Sequence, residues 1–115
     1  MSIDFTLTID VETGGTPYTA VLFDKNSSAA FIPAWKKAGV CKALYESEHL
    51  SAAHIAPTLK KGIEDMQAKH GEYRKLLGEQ FDERAGWQYY NACLDFLQDL
   101  YQACIDYPVA IIHTR

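Results

Sequence analysis

Histidine is the side chain of this sequence best suited to binding a metal, and the chain contains four: His49, His54, His70 and His113. His49 and His54 are five residues apart. That spacing separates them by about 140° around a helix, so they do not share a helix face. No cysteine lies two to four residues from another cysteine or a histidine, as zinc ligands commonly do. The spacing therefore predicts histidines that face solvent or cap helices, with no metal and no cofactor.

The three cysteines are the candidate nucleophiles. A reactive thiol needs a helix N-terminus or a cationic neighbour that lowers its pKa. Cys93 and Cys104 fall in the apolar stripe of the last predicted helix, and we expect them in the core. They lie about 16 Å apart along that helix, too far for a disulfide, so free thiols in a reducing cytoplasm are expected. Cys41, which precedes Lys42, is the one thiol whose reactivity is worth testing.

Two further motifs contain residue types found in reactive sites, but their composition and spacing favour structural roles. Gly14-Gly15 between two threonines suggests a phosphate-binding loop, but it lacks a lysine and opens no helix, so a turn is favoured. Asp4 and Asp10 share one face of a predicted strand but lie about 20 Å apart, too far for joint acid/base catalysis. The sequence thus contains no assembled catalytic group, and we do not expect an enzyme.

An aromatic and acidic group near the start of the last predicted helix is the best candidate for a contact surface. Trp87 and Tyr90 belong to the apolar stripe of that helix, and we expect them in the core. Tyr89 points away from the stripe, towards an acidic loop. Aromatic side chains beside polar ones are common at protein interfaces. The predicted partner-contact residues are Tyr89, Glu79, Asp82 and Glu83.

Composition predicts a single globular domain over residues 1–115, because the chain is 48% hydrophobic and 23% charged. The net charge is −4 and the pI is near 5.5, with acids and bases spread over both halves of the chain. This acidic balance leaves no basic face for nucleic acid. The N-terminus does not resemble a signal peptide and no segment is long and apolar enough to span a membrane, so we expect a cytoplasmic protein with no membrane partner.

Alternating apolar and polar residues over 3–11 predict a β-strand with one buried face. The glycine pair and Pro17 then indicate a hairpin loop of four to six residues before a second strand over 18–23. A closing strand over 109–113 follows Pro108. We expect these strands to form a three-stranded sheet with strand 3–11 in the middle, because it is the longest and most regular.

Three or four helices are predicted between the second and third strands. Gly39 ends the first and Gly71 the second, and residues 40–48 are expected to be mostly irregular. Pro33 and Pro57 either lie in the first turn of their helices or kink them, and the sequence leaves both alternatives open. The last helix has a broad apolar stripe that should pack on the sheet. The predicted helices cover residues 29–38, 51–70, 72–77 and 86–106, giving an α+β fold of order ββααα(α)β.

Several short motifs together resemble those of a set of small, uncharacterised phage and prophage proteins. They cover most of the chain and consist of Asn26, Ala38-Gly39, Pro57, Lys61-Gly62, Gly86-Trp87, Ala103-Cys104, Pro108 and Arg115. The glycine that follows the tryptophan in that set is Gln88 here. The resemblance implies an origin in a mobile genetic element and a bacterial host cell, and it implies no activity.

The preferred hypothesis is a non-enzymatic accessory protein of a phage or mobile element that binds another protein. Inhibition of a host system is one form of this function, and homodimerisation through an open sheet edge is a close variant. The alternative is a small enzyme or ligand-binding protein with a pocket between sheet and helices, which would use tyrosine, histidine or Cys41.

Overall fold

A long β-hairpin opens the chain in the computed structural model, which describes residues 2–80 and 86–115. Strands β1 (Ser2–Thr13) and β2 (Thr16–Ser28) are joined by Gly14 and Gly15 alone. Both glycines have positive φ, 59° and 83°. Two such residues form a tight turn whose twist matches that of the strands. The predicted loop of four to six residues is therefore wrong, because the glycine pair closes the hairpin by itself.

The third strand, β3 (Ile111–Thr114), runs antiparallel to β1 and gives the strand order β2-β1-β3. This confirms the predicted three-stranded sheet with the first strand in the middle. The outer edge of β3 is covered by residues 49–51. There the His49 amide donates to the Ile112 carbonyl at 2.8 Å, and the Ile112 amide donates to the Leu50 carbonyl at 2.9 Å.

Five α-helices lie within the described residues, preceded by a 3-10 turn at Ala29–Phe31. The last helix has the predicted bounds. The second helix lies within residues 40–48, which were expected to be mostly irregular. The helix predicted over 72–77 is longer at both ends. The helices are α1 (Ile32–Ala38), α2 (Cys41–Tyr45), α3 (Ala52–Ala68), α4 (His70–Gln80) and α5 (Gly86–Asp106).

Pro33 and Pro57 occupy different positions within their helices. Pro33 lies in the first turn of α1, which confirms the late-starting alternative. Pro57 lies inside α3, where its missing N–H removes one helical hydrogen bond. Gly39 ends α1 with φ 78°, as predicted. Gly71 does not end α3, because that helix closes at Lys69 and Gly71 already belongs to α4.

The core lies between one face of the sheet and the helices. Ile3, Phe5 and Leu7 of β1 are fully buried against it, as the alternating pattern predicts. Trp35 of α1 is also fully buried, and its ring lies 5.9 Å from that of Phe96 in α5. Helix α5 packs mainly against α3 and α4 and also contacts β2.

Cys93 and Cys104 of α5 are buried, as predicted. Burial raises the pKa of each thiol to about 12. Neither thiol is therefore a reactive thiolate near neutral pH, and their role is packing.

Close packing of α3 against the end of α1 depends on Gly62. A Cβ atom at Gly62 would lie 2.3 Å from Val40 Cγ1 and 3.2 Å from the Ala38 carbonyl oxygen. A Cβ atom at Gly71 in α4 would meet nothing within 4 Å. The two glycines form a matched pair, since both are helical and only one is enclosed.

Gly62→Ala is expected to lower the free energy of unfolding by about 1–3 kcal/mol, because the added methyl group overpacks the α1–α3 contact. Gly71→Ala is the control and is expected to raise it by about 0.5–1 kcal/mol, since alanine has the higher helix propensity. Urea unfolding followed by circular dichroism measures both. A Gly62→Ala variant as stable as the wild type would contradict this packing.

Helices α3 and α4 are joined by a polar contact at the edge of the core. The buried Tyr73 hydroxyl donates a short hydrogen bond to the Asp65 carboxylate. Lys69 Nζ lies 3.2 Å from the other carboxylate oxygen. These two contacts, the tyrosine first, lower the pKa of Asp65 below its ordinary value.

Asp65→Asn is expected to lower the free energy of unfolding by about 1 kcal/mol at neutral pH. Because the folded-state pKa of Asp65 is lowered, its contribution is present above the unfolded-state pKa of about 3.9 and lost as pH falls through the folded value. The difference between Asp65→Asn and the wild type should therefore shrink as the pH falls below the unfolded-state pKa and through the lowered folded-state pKa. Urea unfolding at several pH values tests this, with Glu64→Gln as the exposed control. A difference independent of pH would contradict it.

Candidate functional site

The far end of the β-hairpin extends beyond the rest of the sheet. Strand β1 pairs with β3 only from Phe5 to Thr8, whereas its pairing with β2 continues to Thr13. Residues 9–21 therefore form a two-stranded projection, here called the hairpin arm. The described part of the molecule is correspondingly elongated, with extents of 55 × 25 × 19 Å.

The hairpin arm carries large apolar side chains on both faces. Tyr18, opposite Val11, is 54% exposed, and Val21, opposite Thr8 at the base of the arm, is 60% exposed. Tyr18 lies on the face that continues the core, and Val21 lies on the polar face. A two-stranded ribbon without further cover is only marginally stable in water. Burial of these side chains by a partner would stabilise the arm.

The outer edge of β2 is the open edge of this sheet. No strand pairs with it within residues 2–80 and 86–115, whereas residues 49–51 cover the outer edge of β3. Backbone donors and acceptors of β2 that point away from β1 are thus available to an added strand. Helix α5 contacts β2 near the C-terminal end of the strand, where Lys25 forms an ion pair with Asp99.

The predicted contact site lies at the start of α5 and the end of α4. Tyr89 is half-buried and packs against the core. Glu79 belongs to α4, but its side chain, like Asp82 and Glu83, lies outside what the structure describes. Contact with a partner at these four residues stays a prediction.

Trp87 and Tyr90, both predicted in the core, have different surroundings. Tyr90 is buried, as predicted, and its hydroxyl donates to the Met66 carbonyl at 2.9 Å. Trp87 is 54% exposed, so its predicted core position is wrong. The cause is its place in the first turn of α5, where its ring packs on α4 with the Arg74 guanidinium 3.7 Å from the ring centroid.

A second candidate site is formed by Glu48 and His49, between α2 and α3, and His113 of β3. Glu48 Oε1 lies 3.2 Å from His113 Nδ1 and 3.4 Å from His49 Nε2. The three potential ligand atoms all lie within 4.8 Å of one another. We call these three residues the histidine–glutamate cluster. Imidazole and carboxylate groups in this number are common ligands of divalent metals.

Contacts around the histidine–glutamate cluster orient its side chains. Glu48 Oε2 accepts from the Thr114 amide at 2.6 Å, and His113 Nε2 lies 3.0 Å from Thr8 Oγ1. The Thr114 amide, followed by the hydrogen bond with His113, lowers the pKa of Glu48 below its ordinary value. The carboxylate is therefore ionised at neutral pH.

Sequence spacing missed this cluster because its members are far apart in the chain. His113 has no other histidine at helical or zinc-ligand spacing, and His49 is separated by four residues from His54, which is not a member of the cluster. The two cluster histidines meet because the loop carrying His49 hydrogen-bonds to β3 alongside His113. His54 and His70, the other two histidines of the chain, are exposed and lie outside the cluster.

Cys41, the thiol selected for testing, is half-buried at the start of the short helix α2. It lines an open groove of about 630 Å³ together with Ile32 and Tyr45, and Lys36 and Lys42 also border this groove. The structure places two lysines near the thiol, and its reactivity stays an open prediction.

A shallow groove of about 340 Å³ lies between β2 and α5, where the alternative hypothesis expects a pocket between sheet and helices. Its titratable lining residues are Lys25, Asp95 and Asp99. The described lining contains no tyrosine, no histidine and not Cys41, the side chains that the alternative would use. Cys41 and Tyr45 line the groove beside α1 and α2 instead, so the alternative stays a prediction for that groove.

Comparison with protein-family models, with curated proteins and with solved structures gave no match to this chain. Among the helices that the structure describes, none combines the length and the apolar character needed to cross a membrane.

Proposed function

We propose that this chain is a non-enzymatic protein that binds another protein through its hairpin arm. The observation that supports this is the open edge of β2 beside the exposed side chains of Tyr18 and Val21. An extended segment of a partner would pair with this edge by main-chain hydrogen bonds. The two exposed side chains would then supply apolar contact on either face of the added strand.

The composition of β2 supports the same function. Edge strands are usually protected by charged residues, prolines or bulges that prevent pairing with other chains. The charged or proline residues nearest this edge are Pro17 and Asp24, and a bulge lies at Leu22, which has no partner residue on β1. Residues 18–21 contain none of these three protecting features. An uncharged, β-prone segment of this kind pairs readily with another strand. A second copy of the chain is one such partner, and a different protein is the other.

The cellular role we propose is that of an accessory protein of a phage or prophage, acting in the cytoplasm of a bacterial host. Support comes from the resemblance carried by Gly86-Trp87, Ala103-Cys104 and the other short motifs, and from a mildly acidic charge without a basic face. Inhibition of a host system is one form of binding consistent with such an origin.

Val21→Lys is expected to weaken partner binding at least about tenfold, because it places a charge on the open edge and removes an apolar contact. Val109→Lys is the matched control, since Val109 is 77% exposed and lies outside the sheet. Affinity capture from lysed bacterial cells measures binding to other proteins. Sedimentation velocity of the purified chain measures dimerisation.

The control variant should retain both the captured partner and the oligomeric state of the wild type. Equal binding by Val21→Lys and wild type would contradict a role for the open edge. A wild-type chain that is monomeric and captures no protein would contradict the proposed function, and so would a large thermal shift with a nucleotide or common metabolite.

Charge reversal at Glu83 tests the predicted contact site around Tyr89 in the same assays. Glu83→Lys is expected to weaken partner binding if that surface also contacts the partner, because like or lost charges at an interface slow association. Lys75→Glu, a charge reversal within α4, is the control. Unchanged binding by Glu83→Lys would confine the interface to the hairpin arm.

A further inference from the structure

We infer that Glu48, His49 and His113 form a binding site for a divalent transition-metal ion, of which Zn²⁺ is the most suitable probe. The site is separate from the proposed protein-binding edge, because it lies beside β3 whereas the open edge belongs to β2.

Two of the three distances within the histidine–glutamate cluster are those of metal ligands. Bond lengths of about 2.0–2.1 Å in tetrahedral zinc sites place the ligand atoms about 3.3–3.4 Å apart. Glu48 Oε1 lies 3.2 Å from His113 Nδ1 and 3.4 Å from His49 Nε2. The remaining separation, between the two ring nitrogens, is at most 4.8 Å. A small rotation of the exposed His49 ring would bring all three atoms to ligand spacing.

The hydrogen-bonding capacities of these atoms accommodate a metal ion. A carboxylate oxygen only accepts hydrogen bonds, so each ring nitrogen facing it must carry a proton or contact a metal ion. The Thr8 hydroxyl can donate to His113 Nε2 while Nδ1–H donates to Glu48 Oε1, or it can accept from Nε2–H and leave the Nδ1 lone pair for a metal ion. Metal binding selects the second arrangement. The Thr8 contact then plays the orienting role that second hydrogen bonds play for metal-bound histidines.

The backbone fixes two of the three ligands before any metal binds. His113 is held in β3, and the His49 amide is hydrogen-bonded to the Ile112 carbonyl of that strand. His49 has φ 69°, a left-handed conformation that is uncommon for a residue other than glycine. The Thr114 amide holds Glu48 Oε2 and leaves Oε1 directed at both rings. These constraints reduce the conformational entropy lost on binding.

The composition and exposure of the cluster define the class of ion. Two imidazoles and one carboxylate suit Zn²⁺ and other first-row transition metals better than Mg²⁺ or Ca²⁺, which prefer oxygen ligands. The His49 side chain is 75% exposed, so solvent reaches the site. Three protein ligands leave one tetrahedral position for water or a ligand group from another molecule.

Titration of the full-length chain with ZnCl₂ by isothermal calorimetry tests this site. We expect one Zn²⁺ per chain with a Kd of roughly micromolar order, and no heat of binding with MgCl₂. His49→Gln is expected to weaken Zn²⁺ binding at least about tenfold, and so is Glu48→Gln. His54→Gln is the control, since His54 is also exposed and lies outside the cluster.

Cys41→Ser excludes zinc binding by the half-exposed thiol and should leave the affinity unchanged. Because the His49 side chain faces solvent, its replacement should not prevent folding, which circular dichroism verifies. Absence of Zn²⁺ binding by the wild type would overturn the site. It would also be overturned by a Zn²⁺ affinity unaffected by His49→Gln, or by one lost equally in His54→Gln or Cys41→Ser. Val21→Lys should bind Zn²⁺ like the wild type, so this test is independent of the partner-binding test.

Discussion

The placement of β1 at the centre of the sheet is the constraint on which the rest of the structure depends. Its buried face, Ile3, Phe5 and Leu7, forms the surface on which the helices pack, and both of its edges are hydrogen-bonded. Because side chains alternate along a strand, a register shift of one residue would turn this face towards water. The register of β2 and β3 is therefore determined by the same burial that holds the helices beneath the sheet.

Both candidate functional features follow from the unequal lengths of the strands around β1. The strand β3 has four residues and β2 has thirteen, so the hairpin continues where the third strand has stopped. This difference leaves the arm and the open edge of β2. At the other edge, the short β3 and the loop beside it bring His49 and His113 together. The β2 edge of the sheet thus has unpaired backbone groups, and the β3 edge has the side chains of the histidine–glutamate cluster.

Local patterns in the sequence predicted most of the fold. Burial of a single face produces both the period of two over residues 3–11 and the apolar stripe of α5. Such a period is visible in a short stretch of sequence. Features that depend on neighbours distant in the chain were missed. Trp87 has the spacing of a core residue, yet it packs on Arg74 of the preceding helix. The helix α2 is only five residues long, too short to show a period.

The candidate sites were predicted to different extents for the same reason. An open sheet edge follows from any three-stranded sheet, so it was foreseen without knowledge of its residues. The histidine–glutamate cluster requires the pairing of a loop with the last strand, and no spacing rule relates residues so far apart. Partner contact at Tyr89 rests on residue type alone, because Asp82, Glu83 and the side chain of Glu79 lie outside what the structure describes.

Amide hydrogen exchange of the free, monomeric chain by NMR tests the open edge most directly. Amides of residues 18–21, which precede the bulge at Leu22, should be protected where they point towards β1 and should exchange at nearly unprotected rates where they point away. This alternation is expected only if nothing covers the outer edge of β2. Uniform protection along residues 18–21 in the monomer would contradict an open edge and, with it, the proposed mode of binding.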